Sequence, residues 1–379
     1  MDRYALLQDC DHAVSELLPE LPRPEQKALA ALLDGVVIKQ TVVLPRASAG
    51  APGAASDRSK QRRAQRLLAN PRFDAPRAQR RLLERILAHP RRRLDVLVDV
   101  VTTGATLAYP GVETMYLALA WHGRALPLVW HSWERHAPDQ DWMAIVGELC
   151  ATLATAIPPA TTVVLMADRG LSGSRLAGIA TSHGWDYLLR TKGQGVIRCA
   201  DGWTGLVSEL VPSPGTQACH EAVGIWPARP SVRLPDGQVT SRVDWTRCGS
   251  TNVVAVWRTE DPEPWLLLTT LPATLHRCRE YRRRTWEEEL FRDLKSAGWH
   301  WDESRIRHPE RVERLLVVLA LATLWVCSMS QRVVRRGWRW LIEERSRRCY
   351  SRFQLGLRWL HRLLATDQAV RCVLTLWPD

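Results

Sequence analysis

Tyr281, Arg284, Glu288 and Lys295 stand in the pattern Y-x2-R-x3-E-x6-K. On a helix turning about 100° per residue, all four fall within one arc of about 60°. Phe291 and Arg292 join the edge of that stripe. Glu287, Glu289 and Asp293 fall on other faces, so only Glu288 of the three consecutive glutamates turns with the arginine and the lysine. One carboxylate flanked by cations suits metal-dependent phosphodiester chemistry. The carboxylate holds a divalent cation, and the cations hold phosphate oxygens. The same spacing also describes a salt-bridged surface helix, so the stripe needs partners to mean more. Asp99 interrupts the apolar run at residues 94–101 (LDVLVDVV), and Asp168 directly follows the apolar run TTVVLMA at 161–167. A charge on a buried strand needs compensation, and metal coordination supplies it. Asp99, Asp168 and Glu288 converging on one crevice can hold two Mg²⁺ ions, one activating water or a 3′-hydroxyl and one stabilising the leaving oxygen. Asp95, four residues before Asp99, is a rival. It lies nearer the start of the strand, away from the end where Asp168 sits.

These acids need elements to place them. Residues 1–45 read as one or two helices, 47–56 (ASAGAPGAAS) as a small-residue linker, and 59–88 as helices broken at Pro71 and Pro76. That last segment sets Arg62, Arg63, Arg66, Arg77, Arg80, Arg81 and Arg85 beside an apolar face, an arrangement fit for phosphate contacts. Strands follow at 94–101, 115–121 and 126–133, the last two joined tightly through His122-Gly123-Arg124. A helix at 141–156, a strand at 161–167, a helix at 173–183 and a strand at 186–190 complete an α/β pattern. It predicts a mixed sheet with flanking helices, whose parallel strands present their carboxyl ends to one crevice. Residues 193–264, with runs such as SVRL-PDGQ-VTSRV and NVVAVW, read as an antiparallel β insertion. The chain then divides into a helical region at 1–93, a core at 94–192 and 265–330 split by the insertion, and a basic helical tail at 331–379.

Beyond spacing, the chain resembles the bacterial insertion-sequence DDE transposases of the Y-R-E-K signature group. Tyr281, Arg284, Glu288 and Lys295 match that signature at full spacing. MADRGLSGSRL followed by GWDYLLRTKG resembles the second-aspartate block. HGRALPLVW resembles the hairpin between the first two acids, and DLKSAGWHWDESRIRHPERVERLLVVLALATLW the segment after the signature. SRFQLGLRWLHRLL resembles the tail, so the likeness spans about 58–365. It implies an RNase H-like core, Mg²⁺ dependence with Mn²⁺ as substitute, and cleavage and strand transfer at transposon ends. By that resemblance Asp99, Asp168 and Glu288 are the catalytic acids and metal ligands, and Tyr281, Arg284 and Lys295 contact phosphates near the scissile bond. It also implies an aromatic residue in the insertion that stacks on a flipped base, with Trp257 and Trp265 as candidates. One departure stands out. The family shows a threonine two places after the first aspartate, whereas here Thr102 comes one place late. That predicts either an irregular strand end or a drifted copy that binds DNA without cutting it.

Charge points the same way. The net charge is +12, and a polyanionic partner is the first expectation for so basic a chain. Residues 58–93 carry a net +11 and residues 332–362 a net +8, leaving a mildly acidic middle. Expected partners are double-stranded DNA, terminal inverted repeats and target DNA, with two copies of the chain in the DNA synapse. Nine scattered cysteines without a C-x-x-C pair read as reduced thiols of a cytoplasmic, nucleoid-associated bacterial protein. Residues 315–329 are apolar but short for a membrane span, and predict a buried helix instead. His131 and His136, Cys219-His220 and Glu303 carry no metal assignment; structural or salt-bridge roles are expected of them.

Overall fold

The computed structural model describes residues 3–376 apart from 90, 107–108, 139, 172, 227–230, 234–238, 242–248 and 345–346. The middle of the expected SVRL-PDGQ-VTSRV run, Ser172 of the second-aspartate block and Arg345 of the tail lie outside the described residues.

Five helices open the chain: α1 (Arg3–Leu17), α2 (Arg23–Lys39), α3 (Leu44–Gly50), α4 (Asp57–Ala69) and α5 (Ala75–Leu87). Half of the expected linker at 47–56 is therefore a buried helix. The small residues serve close packing there, because a side chain at Gly35 would strike the Ala47 carbonyl oxygen. Pro76 does not break a helix either. It sits in the first turn of α5, where a missing N–H costs nothing, behind Asp74, whose Oδ1 accepts from Arg77 N at 2.9 Å.

The sheet follows: β1 (Arg93–Thr103), β2 (Val112–Trp121), β3 (Arg124–Glu134), α6 (Trp142–Ala154), β4 (Thr162–Ala167), α7 (Ser174–Ser182) and β5 (Asp186–Arg190). His122 and Gly123 both have positive φ, the backbone of the tight hairpin turn that joins β2 to β3. The insertion contributes β6 (Val196–Arg198), β7 (Thr204–Leu206), β8 (Gln217–Trp226), a short pair β9 (Ser231–Arg233) and β10 (Val239–Ser241), and β11 (Gly249–Val256), before β12 (Trp265–Thr269). Ten strands form one mixed sheet in the order β3-β2-β1-β4-β5-β12-β11-β8-β6-β7. Only the pairs β1–β4 and β4–β5 are parallel; β1 pairs β2 and β5 pairs β12 antiparallel, and the insertion extends the sheet edge in antiparallel pairs. The ladder between β1 and β2 runs without a shift from Val96↔Leu119 to Thr103↔Val112. The strand end at Thr102 is regular, so the late threonine is not explained by an irregularity there.

Three further helices come after the sheet: α8 (His276–Tyr281), α9 (Trp286–Leu294) and α10 (Pro309–Arg335), followed by α11 (Arg352–Ala365). α10 is long and apolar enough to cross a membrane, but its apolar stretch is 89% buried within the protein. It packs against α11, β3, α2, α5 and α4. A helix apolar on every face belongs in such a core, where each buried Leu or Val contributes about 1.5–3 kcal/mol. α11 starts at a capping box formed by Ser351 and Gln354, and its Gly356 lets the helix rest on the Val326 backbone of α10.

Candidate active site

β1 and β4 are parallel, and their register ends at Val98↔Ala167. The next residue on each is an aspartate, so Asp99 and Asp168 stand side by side where the β1–β4 pairing stops, Asp168 just past the end of β4 and Asp99 still within β1. The third acid is carried by a helix that follows the sheet in the chain. The signature is not one continuous helix, as its spacing predicts. α8 ends at Tyr281, a 3-10 turn spans Arg282–Thr285, and α9 carries Glu288. Lys295 lies past the last turn of α9, with φ −96° and ψ −125°. Arg284 lies within this turn and is buried.

Arg284 then meets all three acids. Its Nη2 lies 2.6 Å from Asp99 Oδ2 and 3.4 Å from Asp168 Oδ2, and its Nη1 lies 3.2 Å from Glu288 Oε1. The arginine side chain is 9% exposed, whereas Glu288 is 68% exposed. Burial works against the guanidinium charge, yet Asp99, Glu287 and Asp168 hold its pKa above the ordinary value. Burial pushes the Asp99 carboxyl up, against the pull of Arg284 and a bond from Val100 N.

The other signature residues brace this crevice. Tyr281 is buried and donates its hydroxyl to the Ala167 carbonyl at 3.3 Å, one residue before Asp168. Lys295 donates Nζ to the Thr102 carbonyl at 3.2 Å, and partial burial lowers its pKa. Tyr281 and Arg284, expected to face phosphate, are thus turned inward in this arrangement. Arg292 is exposed at the rim, paired with Glu289 at 3.0 Å. Asp95 is occupied elsewhere: Arg93 Nε lies 2.7 Å from its Oδ1, and Arg283 binds its other oxygen. The structure brings Asp99, not Asp95, to Asp168 and Glu288.

Spacing gave no hint of Glu287. It is fully buried, neither carboxylate oxygen meets a hydrogen-bond donor among the described residues, and its pKa is pushed well up by burial and by Asp99. Its place at 240° on an ideal helix predicted another face, and that face turns out to be the interior.

Beside Asp168, a cavity of about 240 Å³ opens between the start of α7 and the end of β5, lined by Arg169, Ser174, Thr191 and Lys192 among others. Trp265 is less free than its candidacy required. Arg190 and Arg258 each lie 5.6 Å from its ring, and Tyr281 meets it edge-on at 5.6 Å. Trp257 bonds to the Asp261 carbonyl at 3.2 Å.

The two basic blocks differ in kind. Arg62, Arg63 and Arg66 on α4 are exposed and meet no carboxylate among the described residues. On α5, Arg77 and Arg81 pair with Glu20, and Arg85 bonds to the Leu374 carbonyl. In the tail, Arg339 pairs with Glu343, Arg336 covers Trp338, Arg352 covers Trp121 and Arg358 covers Tyr350. Much of that second block is spent on packing.

Elsewhere, His131 pairs with Glu313 at 3.1 Å, and Glu303 pairs with His300 and Arg46, so both have structural partners. The eight described cysteines are free thiols. Among the described residues no group of three His, Cys, Asp or Glu side chains forms a ready metal cage. Around Arg284 the donors are nonetheless carboxylate oxygens alone, which suits Mg²⁺ or Mn²⁺, and three of them already converge on one cation. The chain matches no family model and no curated protein.

Proposed function

We propose that this chain is a DNA transposase that hydrolyses and rejoins phosphodiester bonds at the ends of a mobile element. The observation that carries the reading is the meeting of Asp99, Asp168 and Glu288 on one cationic centre, from three separate elements. The run β3-β2-β1-β4-β5, antiparallel and then parallel, supports an RNase H-like core. Asp99, Asp168 and Glu288 would hold the divalent cations. When bound, Mg²⁺ or Mn²⁺ makes water or a 3′-hydroxyl a competent nucleophile and neutralises the leaving oxygen. Lys295 and Arg292 follow Glu288 along the same stretch of chain, and Arg169, paired with Glu263, and Lys192 line the cavity next to Asp168, so these cations would serve a phosphate backbone laid along the acids. The exposed arginines of α4 supply a second, distant grip on double-stranded DNA. Two copies of the chain would hold two ends in a cytoplasmic, nucleoid-associated synapse.

The test is to sequence the DNA that flanks the gene for terminal inverted repeats and to assay cleavage of a duplex that carries them, with Mg²⁺ or Mn²⁺, by wild type, Asp168→Ala and Glu288→Ala. Wild type should nick and both variants should not. Nicking that survives loss of Glu288 refutes the site. A second reading, a relative that binds DNA and no longer cuts it, draws on Thr102 standing one place late on a regular strand. Wild type that binds the repeats and never nicks them selects that reading.

A further inference from the structure

We propose that Arg284 is an internal counter-cation that occupies the metal-binding centre until a DNA phosphate draws it away, so that metal and DNA bind cooperatively. The inference rests on the metal-site reading above and adds an order of events to it. Among the described residues, Arg284 is the cation placed to bond all three acids, at 2.6, 3.4 and 3.2 Å. A guanidinium and a divalent cation compete for the same carboxylate oxygens, and like charges that close repel. The centre holds one arginine charge against three carboxylates, so it stays an attractor for further positive charge.

The arginine is also poised to leave. Its Nε has no hydrogen-bond partner among the described residues, although it is buried. It stands on a short 3-10 turn between α8 and α9, where a small change of backbone swings the side chain. Phosphate offers a guanidinium the same paired acceptors as a carboxylate. Once a phosphate takes Arg284, the three acids lose their counter-cation and bind metal more tightly. Linkage makes the effect reciprocal: metal in the centre releases Arg284 and strengthens phosphate binding by the same factor. The acids are therefore kept together and partly compensated without DNA, and hydrolytic chemistry is confined to the DNA complex.

The test reads metal binding and needs no cleavage. Mn²⁺ binding is measured by calorimetry or by the electron paramagnetic resonance of free Mn²⁺, without DNA, on wild type, Arg284→Met, Arg284→Lys, and Arg284→Met combined with Asp168→Asn. Arg284→Met should bind Mn²⁺ about tenfold or more tightly than wild type. Arg284→Lys keeps the charge but cannot span three acids, and should fall between them. The added Asp168→Asn should abolish the gain. If Arg284→Met folds only when Mn²⁺ is supplied, followed by circular dichroism, the metal has replaced the arginine and the proposal stands. Equal Mn²⁺ affinity in wild type and both single variants overturns it and leaves the metal site intact. Absence of Mn²⁺ binding that depends on Asp168 in every form overturns the metal-site reading itself.

Discussion

Replacing Asp293 by asparagine should stabilise the protein considerably more at pH 8 than at pH 5. Asp293 lies on α9, 4% exposed, with Arg124 Nε 3.2 Å from Oδ2. The same arginine also binds Glu289. Burial pushes the Asp293 carboxyl up to about 7, and the pull of Arg124 does not offset it. In the unfolded chain the group titrates near about 3.9. Below that value both states hold the proton, and the group has no effect on stability. Between the two values the folded state holds a proton that the unfolded state has released, so stability falls as pH rises. Above about 7 the penalty is complete. Roughly three pKa units at about 1.36 kcal/mol each set a ceiling near 4 kcal/mol. Asparagine keeps the shape and removes the titration. The stability difference between variant and wild type should therefore grow by about 2–4 kcal/mol from pH 5 to pH 8. Urea unfolding followed by tryptophan fluorescence at each pH measures it. Asp99 and Glu287 also have raised values, but they titrate in both proteins and cancel. A difference that is the same at pH 5 and pH 8 would refute the claim that burial outweighs Arg124.

Three other perturbations test the packing and the proposed DNA contacts. Removing Arg62, Arg63 and Arg66 together should flatten the dependence of DNA affinity on salt by about 0.9 in logarithmic slope per lost phosphate contact, read by anisotropy of a labelled duplex. Arg77→Ala with Arg81→Ala should leave that slope nearly unchanged, because both arginines already pair with Glu20. Gly356→Ala places a methyl against the Val326 carbonyl oxygen of α10. It should cost about 1–3 kcal/mol or more and expose α11 to protease, and an unchanged melting temperature would count against the close helix contact.

Much of the frame is legible in the chain itself. Alternating and continuous apolar runs mark β1 to β5 to within a few residues, and the apolar stretch after the signature marks a buried α10. Hydrophobic periodicity is local, so these elements can be read without knowing their partners. The small-residue stretch at 47–56 misleads because alanine and glycine serve a loose linker and a tight helix contact equally well. Which use applies depends on Gly35 of α2, twelve residues away.

The same division runs through the site. Residue type and spacing single out Asp99, Asp168 and Glu288, because acids on apolar strands and one acid within a cationic stripe are visible along the chain. That Asp95 drops out depends on Arg93 and Arg283, the latter nearly two hundred residues further on. Ideal helix geometry places Arg284 beside Glu288, but its contacts with Asp99 and Asp168 join residues more than a hundred positions apart and exist only in the folded chain. Counting arginines locates both basic blocks and leaves their use open. An arginine is a phosphate ligand or a packing residue according to what stands opposite it. On α4 that is solvent, and in the tail it is Trp121, Trp338, Tyr350 and Glu343. Local sequence determined which residues can do chemistry, because side-chain type and period are properties of neighbours along the chain. Only the tertiary structure decided which of them meet and which charges stay free, because electrostatic pairing acts through space.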